Sequence, residues 1–239
     1  MRKLIFIFAL SLHLLSNAQD NYDNLAKGRT LIEQNKYIEA IAYFDNIIKN
    51  DSNNYRAYLL RSKAKYAIRN YYDALKDCRT VLMFKDKLTS DDLYLAYFNS
   101  GACYNDLKQY DTAITYFNLA KNIYPSDIKI YYGIGYSYLQ LNRPDSALTV
   151  FQTMQRIDPK YPKGYYGTGK ANLLLGKYKE AIAEFDKAIE LDTNYAMAYQ
   201  NRGSAKLEIG DTNGCCSDWH KCFELGVVDI KPYIDQLCK

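Results

Sequence analysis

Small residues stand at Gly28, Ser62, Gly101, Gly135, Gly169 and Gly203, at intervals of 34, 39, 34, 34 and 34 residues. Two further series keep the same register. One is Ala40, Ala74, Ala113, Ala147, Ala181 and Cys215; the other follows it by four residues as Phe44, Cys78, Phe117, Phe151, Phe185 and Trp219. A period of this length means an array, because a single unit is too small to bury its own apolar surface and must stack on its neighbours. Inside a unit the spacing is helical. Tyr165, Gly169 and Asn172 follow i, i+4, i+7, and Ala181, Phe185 and Ala188 repeat the pattern on the next segment. Gly176, Gly210, Asn35 and Asn142 mark the turns between the two helices of a unit. Pro144 falls at a helix start, where its missing N–H costs nothing, and Pro125 and Pro159 close their units. The small series lets one helix cross the other closely, and the large aromatics fill the space beside the crossing.

These residues resemble the tetratricopeptide repeat, whose motif has an aromatic at position 4, Gly or Ala at 8, Ala at 20, an aromatic at 24 and often Pro at 32. The units begin near Asn21, Tyr55, Tyr94, Ile128, Pro162 and Ala196. Position 4 is Tyr58, Tyr97, Tyr131, Tyr165 and Tyr199, while Asn24 departs in the first unit. The resemblance implies an all-α fold, a right-handed superhelical solenoid of antiparallel helix pairs. Its six units span 21–54, 55–88, 94–127, 128–161, 162–195 and 196–228. Residues 89–93 lengthen the connection before the third unit. Ile230, Tyr233, Ile234 and Leu237 then have the spacing of a C-terminal capping helix over 229–239, with Asp229 as its cap. The run from Gly214 to Gly226 is similar to the terminal unit of secreted or envelope tetratricopeptide proteins of Bacteroidetes-type bacteria.

Residues 1–18 have the order of a secretory signal peptide: Arg2 and Lys3, an apolar run from Leu4 to Leu15, and the small-x-small site Ser16-Asn17-Ala18. The run is too short to span a bilayer. Export to a periplasm or the cell exterior is expected, with no stable membrane insertion after cleavage. Loss of Arg2 and Lys3 leaves 29 basic residues against 27 acidic ones, a balance that does not point to nucleic acid.

An oxidising compartment permits disulfides among the six cysteines, and Cys216 with Cys238 is the favoured pair, tying the last repeat to the end of the capping helix. Free thiols are the alternative, since Cys215 and Cys222 occupy positions where the repeat has Ala. Cys78 and Cys103 could also meet. Cys216 and His220 share a helical face, but no C-x-x-C pair accompanies them, so no metal is expected.

His220 is the sole histidine past the leader, and the repeats leave no separate domain for an active site, so the chain reads as non-enzymatic and without a cofactor. The stretch 164–171 contains G-x-x-x-x-G-K, yet Ala171 stands where a phosphate loop needs Ser or Thr, and Pro159 and Pro162 stand where it needs a strand. Asp45, Asp77, Asp186 and Glu190 read as outward carboxylates in solvated ion pairs beside lysines. The resemblance places positions 2, 5, 6, 9, 12 and 13 on a concave groove for a protein or peptide partner. Its principal residues here are Lys63, Phe98, Asn99, Lys129, Tyr132, Tyr136, Tyr166 and Lys170, and Leu59 belongs to the same set. A carboxylate clamp known in the family is incomplete, because Leu59 and Gly133 occupy two of its five positions. The other reading is a spacer or assembly subunit that uses its outer face and ends.

Overall fold

The computed structural model describes residues 25–238, and the expected leader lies outside them. Every regular element among these residues is helical. Residues 25–33 belong to α1, followed by α2 (Tyr37–Asn50), α3 (Tyr55–Ala67), α4 (Tyr71–Leu82), α5 (Ser90–Asp106), α6 (Tyr110–Ile123) and α7 (Ile128–Gln140). The series continues with α8 (Pro144–Ile157), α9 (Pro162–Leu174), α10 (Tyr178–Leu191), α11 (Ala196–Glu208), α12 (Thr212–Glu224) and α13 (Lys231–Leu237). The chain divides into two compact units between Lys108 and Gln109. In the first, α2 to α5 pack each on the next. In the second, α6 to α13 do the same, and the first helices of successive pairs lie side by side, α7 against α9 and α9 against α11.

The small-with-large pairing sets these distances. A Cβ added to Gly28 would lie 2.3 Å from the Phe44 ring, and one added to Gly135, Gly169 or Gly203 would lie 2.6 Å from Phe151, Phe185 or Trp219. The helices of a pair therefore close until ring meets backbone. Two further glycines make the same contact between pairs. A Cβ on Gly133 would sit 2.6 Å from Phe117, and one on Gly167 2.3 Å from Phe151.

Five of the turns within helix pairs close by one device. The residue after the turn donates its N–H five residues back, from Lys36 to Leu31, Asn70 to Lys65, Arg143 to Tyr138, Lys177 to Asn172 and Asp211 to Lys206, at 2.8–2.9 Å. This requires a left-handed residue just before it. Gly176, Gly210, Asn35 and Asn142 supply it as expected, and Arg69 and Lys108 (φ 62° and 60°) take the same conformation without the glycine that would relieve it. The prolines that close units also have partners: the Tyr131 hydroxyl donates to the Pro125 carbonyl at 2.6 Å, and that of Tyr165 to Pro159 at 3.1 Å.

Three expectations are corrected. Residues 89–93 do not lengthen a loop. The Thr89 hydroxyl accepts the Asp92 N–H while the Asp92 carboxylate accepts the Thr89 N–H, and this capping box starts α5 a turn early, giving 17 residues against the 13 of α3, α7, α9 and α11. Asp229 does not cap α13, because it lies inside a 3-10 turn, Val228–Ile230, and Ile230 occupies the cap position.

The third correction concerns the carboxylates. Asp77 is 2% exposed and receives Arg61 Nη2 at 2.6 Å and Lys65 Nζ at 2.9 Å, while Arg61 also reaches Asp45 at 2.5 Å. The second unit repeats the arrangement: Asp218, 3% exposed, receives Arg202 Nη2 at 2.5 Å and Lys206 Nζ at 2.9 Å, and Arg202 reaches Asp186 at 2.6 Å. In both, the guanidinium also lies over a position-4 tyrosine, 5.1 Å from the Tyr58 ring and 5.2 Å from that of Tyr199. Each arginine thus joins its own pair to the second helix of the pair before it. Asp45, Asp186 and Glu190 are exposed as expected, Glu190 as the partner of Lys187 and the two aspartates as partners of arginines.

At the C-terminus, Ile230 and Ile234 of the cap pack on Cys215 and Trp219, with the Tyr233 ring edge-on to Trp219 at 6.0 Å. Cys216 and Cys238 are joined in this structure, with Cα atoms 5.5 Å apart. Cys78, Cys103, Cys215 and Cys222 are buried and unbonded.

Candidate functional site

In the second unit, α7 and α9 present matching pairs at i and i+4: Tyr132 and Tyr136 on α7, Tyr166 and Lys170 on α9, at repeat positions 5 and 9 of their units. Gly133 and Gly167 follow the first member of each pair, and since neither can carry a Cβ against Phe117 or Phe151, the two helices have no side chain between the tyrosines and the ring layer beneath. Tyr132 rests edge-on against Phe151 at 6.5 Å and Tyr166 lies 5.9 Å from Phe185. The row is continuous from helix to helix. Lys163 Nζ of α9 stands 5.0 Å over the Tyr132 ring of α7, Tyr166 lies 4.9 Å from Tyr195, and Asn201 Nδ2 of α11 donates to the Tyr166 hydroxyl at 3.3 Å.

The electrostatics follow from that packing. Burial first, then the Tyr136 and Tyr161 phenols, raise the Tyr132 pKa, and burial with Tyr132 raises Tyr166 to about 12 despite the hydrogen bond from Asn201. Tyr132 and Tyr166 therefore stay neutral through the physiological range. Lys170 is partly buried, and burial alone lowers its pKa. Among the described residues no carboxylate offsets it.

Other predicted positions behave differently. Lys129 is exposed at the start of α7, and Tyr136 is 38% exposed. In the first unit Lys63 is exposed on α3, Phe98 stacks on Tyr94 at 5.8 Å, and Asn99 Nδ2 donates to Ser62 Oγ at 3.3 Å, joining α5 to α3. Leu59, expected at a groove, is buried instead with Val81 and Ala96, because the neighbouring helix covers that face of α3. A depression of about 570 Å³ between α6, α7 and α8 is lined by Asn118, Lys121, Tyr131, Tyr138 and Thr149 among others, and holds none of the predicted residues.

A family model described as tetratricopeptide repeat matches residues 25–92 and 132–196, and a second of the same description matches 94–127. The chain belongs to the tetratricopeptide repeat family. Solved structures agree on the fold. The C-terminal part of a TPR repeat-containing protein from Cytophaga hutchinsonii aligns with a TM-score of 0.69 at 23% identity, over 84% of this chain and 78% of that one. A tetratricopeptide repeat protein from Parabacteroides merdae gives 0.67 at 14% identity, covering 92% of this chain and 100% of that one. YrrB, described as a TPR protein with an unusual peptide-binding site, gives 0.62 at 18%, covering 81% and 98%. No curated protein matches the chain.

Placed in the tetratricopeptide frame, the G-x-x-x-x-G-K stretch lies wholly within α9, where Gly169 serves the contact with Phe185. Its amides are engaged in a helix, so they cannot cradle a phosphate. Among the described residues no cluster of His, Cys, Asp and Glu is arranged to hold a metal ion, and no helix is long and apolar enough to cross a membrane.

Proposed function

We propose that this tetratricopeptide chain is a non-enzymatic interaction module, exported to a periplasm or the cell exterior, that captures a protein or peptide partner on the first-helix face of its repeats. The observation that carries the reading is the tyrosine row of α7 and α9. Tyr132 and Tyr166 stand on a layer formed by Phe151 and Phe185, Tyr136 lies edge-on to Tyr110 one turn further along α7, and Lys163 and Lys170 belong to α9. Aromatics held in one orientation by packing give contact area with little loss of side-chain freedom, and so act as anchors. The fold itself supports a protein–protein interaction scaffold, and YrrB shows that a relative of this shape can carry a peptide-binding site.

Within the second unit, orientation of the partner would come from Lys129 and Lys170; Lys63, Phe98 and Asn99 are the corresponding positions of the first unit, taken by itself. The reading of an exported chain rests on residues 1–18, and a cystine at Cys216–Cys238 fits that compartment. Replacing Tyr132 and Tyr136 together by Ala should abolish partner capture from a native cell envelope. The helical circular dichroism should be retained, since Tyr136 is 38% exposed and Tyr132, though packed on the edge of the Phe151 cluster, is only partly buried. Undiminished capture by the folded double variant would refute the assignment.

A further inference from the structure

Charge is distributed unevenly between the helices of the second unit. Helices α7 and α9 contain no Asp or Glu at all, while α10 carries Glu180, Glu184, Asp186 and Glu190 and α8 carries Asp145. The acid-free pair holds Lys129, Lys163 and Lys170, and of these Lys170 is the partly buried one. An ammonium held out of water without a counterion is unfavourable, and helical neighbours three or four residues away offer the simplest remedy. Those neighbours are Tyr166, Gly167, Leu173 and Leu174. Among the described residues, those of α8, α10 and α11 included, no carboxylate compensates this charge, which stands on a face made of tyrosines.

We propose that Lys170, with Tyr132, Tyr136 and Tyr166, forms a receptor for a side-chain carboxylate within an extended, acidic peptide segment that also carries apolar residues. The inference rests on the first-helix face being the partner site. A carboxylate brought to Lys170 exchanges an uncompensated charge for a charge-assisted hydrogen bond in a partly dried setting, where such bonds are strongest. Neutral phenols beside it donate hydrogen bonds and present ring faces to the apolar residues on either side. A side-chain carboxylate is favoured over a chain terminus by what flanks Lys170. The row continues past it in both directions, to Tyr132 and Tyr136 on α7 and through Tyr166 to Asn201 on α11, so the bound segment runs on through the site. The terminal-carboxylate clamp lacks two of its groups besides: Leu59 is buried, and Gly133 has no side chain.

The test is fluorescence anisotropy with an end-blocked, fluorescein-labelled dodecapeptide built of Glu, Leu and Ser, compared with the same peptide carrying Gln for every Glu. A third peptide, the Gln version with a free C-terminal carboxylate, separates a terminus from a side chain. Wild-type protein should prefer the Glu peptide by at least tenfold, about 1.4 kcal/mol. Lys170→Met should reduce that preference to about twofold or less, and Lys170→Arg should keep most of it. Equal binding of Glu and Gln peptides by wild type, an unchanged preference in Lys170→Met, selective binding of the free-terminus peptide, or no binding of any peptide at about 1 mM overturns the proposal. Its failure is separable from failure of the groove reading. If the Gln peptide binds wild type and is lost in the Tyr132→Ala, Tyr136→Ala variant, the face stands and only the acidic preference falls. If that variant binds both peptides as wild type does, the face itself is wrong.

Discussion

Two partly buried lysines in neighbouring repeats of the second unit have been given opposite surroundings. Lys206 on α11 lies 2.9 Å from the Asp218 carboxylate, which also takes two hydrogen bonds from Arg202. Lys170 on α9 has no acid on its own helix or on α7, and burial depresses its pKa with no carboxylate to counter the effect. The chain plainly can place an Asp against a cation when the fold needs it, as it does at Asp77 and at Asp218. Charge that serves stacking is therefore neutralised within the chain, and charge left open on the tyrosine face is available to a partner. The same residue type is neutralised by a carboxylate in one place and left facing tyrosines in the other, and only the second fits the recognition role proposed above.

Breaking the compensated site should have the largest effect. Asp218→Ala leaves Arg202 and Lys206 partly buried with their main acceptor gone, and removing one partner of a buried ionic group costs about 3–5 kcal/mol. Urea denaturation should show this as a lower midpoint, and Asp77→Ala should behave alike in the first unit. Lys206→Met is milder. Asp218 keeps Arg202, so the loss should be that of one hydrogen bond to a charged group, about 1.5–3 kcal/mol, in the same measurement. Lys170→Met, by contrast, should leave stability within about 0.5 kcal/mol of wild type, because no bond is lost.

The smallest effect is a pH dependence whose sign follows from the lowered pKa of Lys170. Below its folded-state value the lysine is charged both folded and unfolded, and the burial penalty is constant. Between that value and the ordinary lysine pKa the unfolded chain binds more protons, so wild-type stability should rise with pH relative to Lys170→Met. Tyr166, held up to about 12, does not titrate in that window. Parallel melting curves of the two proteins across the alkaline range check it, and a flat difference would mean that Lys170 is as well solvated as a surface lysine.

Much of this was legible in the residues themselves. The glycine series predicts the helix crossings because each glycine stands opposite a ring, and Gly176, Gly210, Asn35 and Asn142 predict the turns because each must be left-handed. Arg69 and Lys108 escaped notice because they occupy the same turn without a residue type that favours it. The buried Asp77 and Asp218 are hidden for a different reason: their arginine partners lie 16 residues earlier and their lysine partners 12 earlier, on the other helix of the pair, so i, i+4 spacing does not reveal them. Repetition of Arg, Lys and Asp at positions 7, 11 and 23 of the second and sixth units was the available signal. Thr89 and Asp92 likewise spell a capping box, a helix start where the length of the connection alone suggests only extra residues. At the candidate face, the tyrosines were readable from the repeat frame, but the isolation of Lys170 depends on how deep it sits.

The most direct test of the tyrosine face is fluorine NMR of the protein labelled with fluorotyrosine, with Tyr132, Tyr136 and Tyr166 assigned through single Tyr→Phe variants. On titration with the Glu-containing peptide, those three resonances should shift together and saturate at the concentration found by anisotropy. Shifts confined to other tyrosines, with these three unmoved while the peptide binds, would contradict the account.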